Sequence, residues 1–343
     1  TARARGLADD GRTFSLHAWG SLLAALGLVF ARWRPRPEHR EGPYGWLVRR
    51  AAALEGGTGQ AARIRWQLIC QQTWLEEARP RVVAWPWENH SWERGFVRHA
   101  RAAGVKTVGY QHTTVGKREW NYSAASNPDG LESVPDRILT SGPAGLTKLL
   151  RLGYAAERLT IAGALRMRAV HALPRDSKGP VFVALPFDND VAGQMVAALR
   201  PLGRKGRRFL IKDHPMTPFP FEESPGVTSC STPLDQQTGV AAVIYAATTV
   251  GLEALLGGLP TLRFQPRNRV PADAIPEDLA VPAVTAESVE EALQALEVPQ
   301  SVAPESVFSR PRMDVWKEVL CETETAALDG GMISGGLCPG GAE

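Results

Sequence analysis

Ala242-Val-Ile-Tyr-Ala-Ala-Thr-Thr-Val-Gly-Leu-Glu253 is the stretch that sets the fold. An apolar run, Ala242 to Tyr245, reads as a buried strand. Two hydroxyls follow, and a helix then opens with Gly251 in its first turn. Free N–H groups and the positive end of a helix favour an anion at such a place. Thr248 or Thr249 would equally serve as a plain helix cap. Glu253, a few residues into the helix, would either hold ribose hydroxyls or simply face solvent.

The pattern repeats on both sides. Val181-Phe-Val-Ala-Leu185, Arg208-Phe-Leu-Ile-Lys212 and Thr261-Leu-Arg-Phe264 read as strands, with helices over 191–199 and 251–256. Further upstream, Arg81-Val-Val-Ala-Trp85, Lys106-Thr-Val-Gly-Tyr110, Arg137-Ile-Leu-Thr140 and Leu159-Thr-Ile-Ala162 form a second set. A helix over 91–103, with Gly104 as its C-terminal cap, separates the first two of these. Strands alternating with helices mean βαβ units and a parallel sheet. The expected fold is therefore α/β, with two Rossmann-like domains and a central cleft.

The first eighty residues read as helical, with one helix over 61–77 stopped by Pro80. Pro174-Arg-Asp-Ser-Lys-Gly179 is the candidate linker. The expected division is an N-terminal Rossmann-like domain over 1–170 with a helical start and a C-terminal Rossmann-like domain over 171–310. A C-terminal helix over 311–329, crossing back, and a disordered tail over 330–343 complete it. Thr1 is not a start methionine, so a trimmed chain short of N-terminal strands is expected.

Composition narrows the function. Of 343 residues, 44% are hydrophobic and 22% charged, which excludes disordered, collagenous and disulfide-scaffold classes. A net charge of +3, with no basic tract interleaved with aromatics, argues against nucleic acid. Cys70, Cys230, Cys321 and Cys338 form no CxxC pair, so neither a zinc site nor a disulfide framework is expected, and a reducing, cytoplasmic setting fits. Residues 13–31 carry no Asp, Glu, Lys or Arg, and Arg32, Arg34 and Arg36 follow. That run reads as a buried or partner-facing helix, with insertion in a membrane as the alternative. Peripheral association with the inner membrane at its cytoplasmic face is the corresponding partner expectation.

In open parallel sheets, ligands bind beyond the carboxyl ends of the strands. After Lys212 come Asp213, His214 and Pro215, with proline fixing the turn. His214 is either a phosphate donor and leaving-group acid or a structural histidine. Lys212 would assist an anion or only be solvated. After Trp85 come Trp87, Glu88, Asn89 and His90. Apolar neighbours would raise the Glu88 pKa and make it a usable base; the alternative is a loop tie. Glu93 suits the first turn of the following helix. His112 follows another strand, and Asn127-Pro128-Asp129-Gly130 is a turn that could also present the Asp129 carboxylate. No P-loop, GxGxxG fingerprint, GxSxG elbow or HExxH occurs, and no DxD-like pair is placed to bind a metal.

His214-Pro215 after a strand, then a Thr248-Thr249 pair before a helix, resembles the nucleotide-binding half of GT-B glycosyltransferases. More narrowly it resembles bacterial enzymes that use CMP-activated nonulosonic acids or Kdo. Trp87 to Arg94, Gly109-Tyr110-Gln111-His112, Pro135-Asp136-Arg137-Ile138, Gly153-Tyr154 and Gly163-Ala164-Leu165 resemble surface-polysaccharide biosynthesis proteins of that architecture. The resemblance spans about 81–264. It implies that His214 and the threonine pair contact the CMP phosphate, with Lys212, Pro215, Gly251 and Glu253 around the donor. Glu88, His214 and Asp129 are then the catalytic candidates, and Asn89 and His112 the acceptor-side ones. Related sialyltransferases often carry an acidic pair before a glycine. Here only Asp129 precedes Gly130, so the base stays open between Glu88 and Asp129. No cofactor and no metal are implied. The expected partners are a CMP-linked nucleotide sugar and a glycan or glycolipid acceptor of lipopolysaccharide or capsule. A sugar-nucleotide 2-epimerase and a non-catalytic subunit of a polysaccharide assembly complex are the alternatives.

Overall fold

The computed structural model describes residues 19–56, 58–165, 171–270, 273–297 and 302–321. The helices are α1 (Leu22–Leu26), α2 (Pro37–Glu41), α3 (Gly45–Glu55), α4 (Gln60–Ala78), α5 (Ser91–Ala102), α6 (Pro143–Arg151), α7 (Asn189–Arg204), α8 (Val250–Leu256), α9 (Val289–Gln294), α10 (Pro304–Val307) and α11 (Met313–Cys321). The strands are β1 (Val82–Pro86), β2 (Lys106–Gln111), β3 (Arg137–Thr140), β4 (Leu159–Ile161), β5 (Val181–Ala184), β6 (Phe209–Lys212), β7 (Val227–Ser229), β8 (Ala242–Tyr245), β9 (Thr261–Phe264) and β10 (Ala283–Val284). They make a four-stranded sheet, β1-β2-β3-β4, and a six-stranded one, β10-β9-β8-β5-β6-β7. The expected α/β architecture on two parallel sheets is what the chain forms. Its short edge strands β7 and β10, of three and two residues, were too brief to show in the sequence.

Packing divides the chain into two compact units. One comprises the described residues of Thr1–Tyr110, Asn127–Ile138 and Arg312–Glu343; the other, those of Gln111–Ser126 and Leu139–Pro311. The expected boundary and the helix over 311–329 fall partly outside the described residues, and the tail over 330–343 wholly so.

In the first unit, α4 lies against α5 at close range: a Cβ on Gly95 would stand 2.6 Å from the Leu68 side chain. Phe96 fills the core there, edge-on to Trp85 at 5.3 Å between ring centroids. Helix α5 ends in a Schellman motif, with Val105 N–H on the Ala100 carbonyl and Gly104 N–H on that of Arg101. Gly104 takes φ +71, the left-handed conformation this ending requires. β1 and β2 then pair in parallel, with Trp85 opposite Gly109. In the same unit Trp316 of α11 meets Tyr110 edge-on at 5.1 Å.

Of the expected buried or partner-facing helix over 13–31, the described part is helical only in short pieces and is not buried. Residues 13–18 lie outside the described set, and the rest is a five-residue helix followed by a 3-10 turn, Gly27–Phe30, with no buried residue in either. Gly20, Ser21 and Gly27 interrupt the apolar run too often for one long helix. Among the described residues, no helix is long and apolar enough to cross a membrane.

In the second unit, β5 and β8 are buried along their whole length. Their side chains divide between two clusters, as expected of a parallel sheet covered on both faces. One cluster joins Val181, Val183, Ile211 and Ile244 to Met195 and Leu199 of α7. The other joins Phe182, Val243 and Tyr245 to Leu252 and Leu255 of α8. The candidate linker enters as an ordered turn, in which Asp176 accepts from Lys178 and Gly179 and Arg175 bridges to Val240.

Candidate functional site

The second sheet contains its own pointer to a ligand site. The chain lays down β5, adds β6 and β7 on one side, and then crosses to add β8, β9 and β10 on the other. This is the doubly wound order, and its direction reverses between β5 and β8, where such sheets leave a crevice at the carboxyl edge. Ala184 of β5 stands opposite both Lys212 and Tyr245. Those two strand ends are thus two spacings apart, about 10 Å, and the loops after β5, β6 and β8 share one edge.

The loop after β8 turns sharply. Ala247 adopts φ +50, a conformation that residues with a side chain rarely take. Thr248 follows, and its hydroxyl oxygen is buried without a hydrogen-bond partner among the described residues. Thr249 is exposed and makes no side-chain capping bond to α8. Neither hydroxyl is spent as the plain cap that the sequence allowed. Gly251 has a packing reason as well: a Cβ there would lie 2.6 Å from the Tyr245 ring. The start of α8 therefore rests directly on that ring. The Tyr245 hydroxyl donates to Asp273 at 2.9 Å, and Asp273 also accepts from the Ile275 N–H and from Arg263. Burial, and then the Asp273 charge, push the Tyr245 phenol well above its ordinary range.

Glu253 lies four residues after Thr249, on the same side of α8. Its side chain is partly buried. Burial first, and the charge of Asp235 second, push its pKa up. The sign follows from linkage. A carboxyl raised in the folded state favours folding while protonated, and that contribution is lost as pH rises through the folded value. Glu253→Gln is therefore expected to be more stable than the parent near neutral pH, with the difference vanishing in acid. Melting curves of both chains across that range check it; a pH-independent difference would sink the assignment.

His214 ends β6. Its Nδ1 accepts the Met216 N–H at 3.3 Å, and its ring stands edge-on to Phe187 at 6.2 Å. With Nδ1 accepting, the neutral ring carries its proton on Nε2, which leaves that N–H to donate elsewhere. Asp213 accepts the Phe219 N–H and closes the loop, and Pro215 lies exposed at its tip. Lys212 alternates with buried Ile211 and so shares a face with Leu210, which packs in the α8-side cluster.

The loop after β5 was missed in the sequence. Phe187 is exposed at the edge, and Asp188 caps α7 by accepting from the N–H groups of Asp190 and Val191. Asp188-Asn189-Asp190 is in fact an Asp-x-Asp triplet. Arg269 pairs with both of its carboxylates. Two helices thus begin at the switch point with opposite character: α7 with acids held by an arginine, α8 with uncommitted hydroxyls. An anion is favoured at the α8 start. Among the described residues, no group of three or more His, Cys, Asp or Glu side chains could hold a metal ion.

The first unit contains the other candidates. Glu88 is partly exposed, and its Oε2 meets His90 Nε2 at 2.7 Å. That bond leads the causes that raise the His90 pKa; partial burial opposes it, and the charge of Glu93 adds to it. Glu93 is buried and accepts from Trp85 Nε1 at 3.0 Å and from the N–H groups of Glu88 and His90. Its role in the first turn of α5 is the one its sequence position suggested, and His90 is the N-cap. Asn89 takes φ +56 and is fully buried, and its amide donates to Asn127 at 2.7 Å. The side chain ties two loops together. Asn127 to Gly130 makes the expected turn, closed by Gly130 N–H on the Asn127 carbonyl. Asp129 pairs with Arg98 at 3.1 Å. Asp136, from the motif at β3, accepts from Thr107 and Arg101. His112 belongs to the second unit and is partly buried just past Gln111.

No family model matches the sequence, and no curated protein does. Solved structures give distant likenesses. A UDP-N-acetylglucosamine 2-epimerase from Rickettsia bellii is 14% identical, over 80% of each chain, with a TM-score of 0.47. A lipopolysaccharide outer core galactosyltransferase is 15% identical over 76% of this chain and 80% of its own, with a TM-score of 0.44. The calicheamicin glycosyltransferase CalG4 is 13% identical over 84% and 81%, with a TM-score of 0.45. Likeness at this level assigns neither activity nor donor to this chain, and the functional reading rests on its own residues.

Proposed function

We propose that this chain is a metal-independent glycosyltransferase of GT-B type, taking a nucleotide-activated sugar at the carboxyl edge of β5, β6 and β8. The observation that carries the reading is the uncommitted Thr248 hydroxyl at the start of α8. The Thr248 hydroxyl is buried with no hydrogen-bond partner among the described residues, a costly state unless a ligand completes it, and burial pushes up the pKa of the Glu253 carboxyl on the same helix.

In this reading the phosphate lies against Thr248, Thr249 and the first N–H groups of α8, which have no acceptor within the helix. His214 donates its Nε2 proton to the same phosphate, and Lys212 adds positive charge. Glu253 accepts from the ribose hydroxyls. When an acceptor hydroxyl attacks the anomeric carbon, the bond from that carbon to the phosphate oxygen breaks and its electron pair stays on the phosphate. Donors already aimed at that oxygen stabilise the charge as it develops. The proton of the attacking hydroxyl goes to a carboxylate, for which we assign Glu88. The narrower form of the proposal is a CMP-linked ulosonic acid as donor and a surface glycan or glycolipid as acceptor.

A thermal-shift series against CMP, UDP, GDP and their sugars tests this. A ligand at a hundred times its dissociation constant stabilises the fold by about 2.7 kcal/mol. Thr248→Val and His214→Ala are each expected to weaken nucleotide binding by roughly 1.5–3 kcal/mol, the range for bonds to a charged group. No shift with any nucleotide overturns the site. A shift with UDP but not CMP overturns the narrower donor. Turnover of a UDP-sugar without acceptor replaces transfer by epimerisation.

A further inference from the structure

The first unit carries an apolar face that neither its core nor the nucleotide site uses. Helix α1 and the 3-10 turn Gly27–Phe30 bury no residue at all. Leu23 is 80% exposed and Phe30 is 81% exposed. The segment is nonetheless seated on the body of the unit, because a Cβ on Gly20 would overlap the Trp66 indole of α4. A Cβ on Gly56 would stand 3.2 Å from the Trp33 carbonyl, so the chain after the turn runs beside the end of α3. On α3 itself, Trp46, Arg50 and Leu54 recur at helical spacing and are all exposed.

Exposed leucines, tryptophans and a phenylalanine gathered in one segment of a folded chain mark something that binds it. Charge and composition indicate what. Residues 32–55 hold six arginines against three glutamates, and exposed Arg32 and Arg34 flank Trp33. Leucines and a phenylalanine, beside tryptophans and arginines, suit the boundary between acyl chains and anionic headgroups. The helices here are short and lie on the unit's surface, and no described helix is long and apolar enough to span a bilayer. We infer that this face, from Leu22 through Leu54, docks the chain on the surface of an anionic phospholipid bilayer, with the leucines and Phe30 entering the headgroup layer and the arginines pairing with phosphates. The inference is independent of the transferase reading, since lipid binding needs no donor.

The test is co-sedimentation of the full chain with vesicles of phosphatidylcholine alone or mixed with phosphatidylglycerol. Binding is expected on the mixed vesicles at least about tenfold above the neutral ones, and high salt is expected to release it. The pair Leu23→Asp and Phe30→Asp should cut that binding at least tenfold. So should the triple Arg32→Glu, Arg34→Glu and Arg36→Glu. These side chains are exposed, so the melting temperature and the nucleotide-induced shift of each variant should match the parent. The inference is overturned by absent binding, by equal binding to both vesicles, or by variants that bind as the parent does. Self-association abolished by the same variants, without vesicle binding, would assign the face to a second copy of the chain instead.

Discussion

Glu88→Gln is expected to keep the parent's donor affinity and to lose about 10²–10⁴-fold in transfer rate, the usual contribution of a general acid–base group. The amide keeps the shape of the side chain and can still bond to His90, which the carboxylate meets at 2.7 Å. It cannot take a proton from an acceptor hydroxyl. A loss in rate without a loss in affinity is the signature of a group needed in the transition state. Asp129→Asn is the control, because Asp129 is already paired with Arg98. Calorimetry for donor affinity beside single-turnover transfer reads both variants. An active Glu88→Gln beside an inactive Asp129→Asn would move the base to Asp129. Two fully active variants would remove the first-unit carboxylate from the chemistry.

What the sequence showed and what it hid follow one physical line. Four-residue apolar runs such as Phe182–Ala184 with Val181, or Ala242 to Tyr245, are buried on both faces, so composition alone revealed them. The turn before Gly251 was legible because a buried apolar run ends there and a helix begins. Tertiary partners were hidden. Nothing local reveals that Asn89 reaches Asn127, that Arg269 covers Asp188 and Asp190, or that Gly251 rests on Tyr245. The run over 13–31 left burial and a partner open for the same reason: an apolar composition says that a surface wants cover, and not that its own chain supplies it.

The largest effect on folding is expected at Asp273. This nearly buried carboxylate receives the Tyr245 hydroxyl at 2.9 Å, the Ile275 N–H at 3.1 Å and the Arg263 guanidinium. Asp273→Ala would leave a largely buried guanidinium and a buried phenol without their acceptor. Breaking a buried pair from one side costs about 3–5 kcal/mol. Tyr245→Phe removes one donor only and is expected to cost about 1.5–3 kcal/mol, as for a bond to a charged group. The two should differ in urea midpoint with an unchanged denaturant slope. The effect reaches the proposed nucleotide site through packing. Tyr245 closes β8, and its ring is the surface on which Gly251 brings the start of α8 to rest. A tyrosine released from Asp273 no longer fixes the turn that presents Thr248. Donor binding by Asp273→Ala should therefore fall too, measured where the variant is still fully folded, although Asp273 itself is assigned no contact with donor. A variant within about 0.5 kcal/mol of the parent, the range for surface substitutions, would show that the carboxylate is not holding β8 in place. A destabilised variant that still binds donor as the parent does would show that Tyr245 and the Thr248 turn are uncoupled.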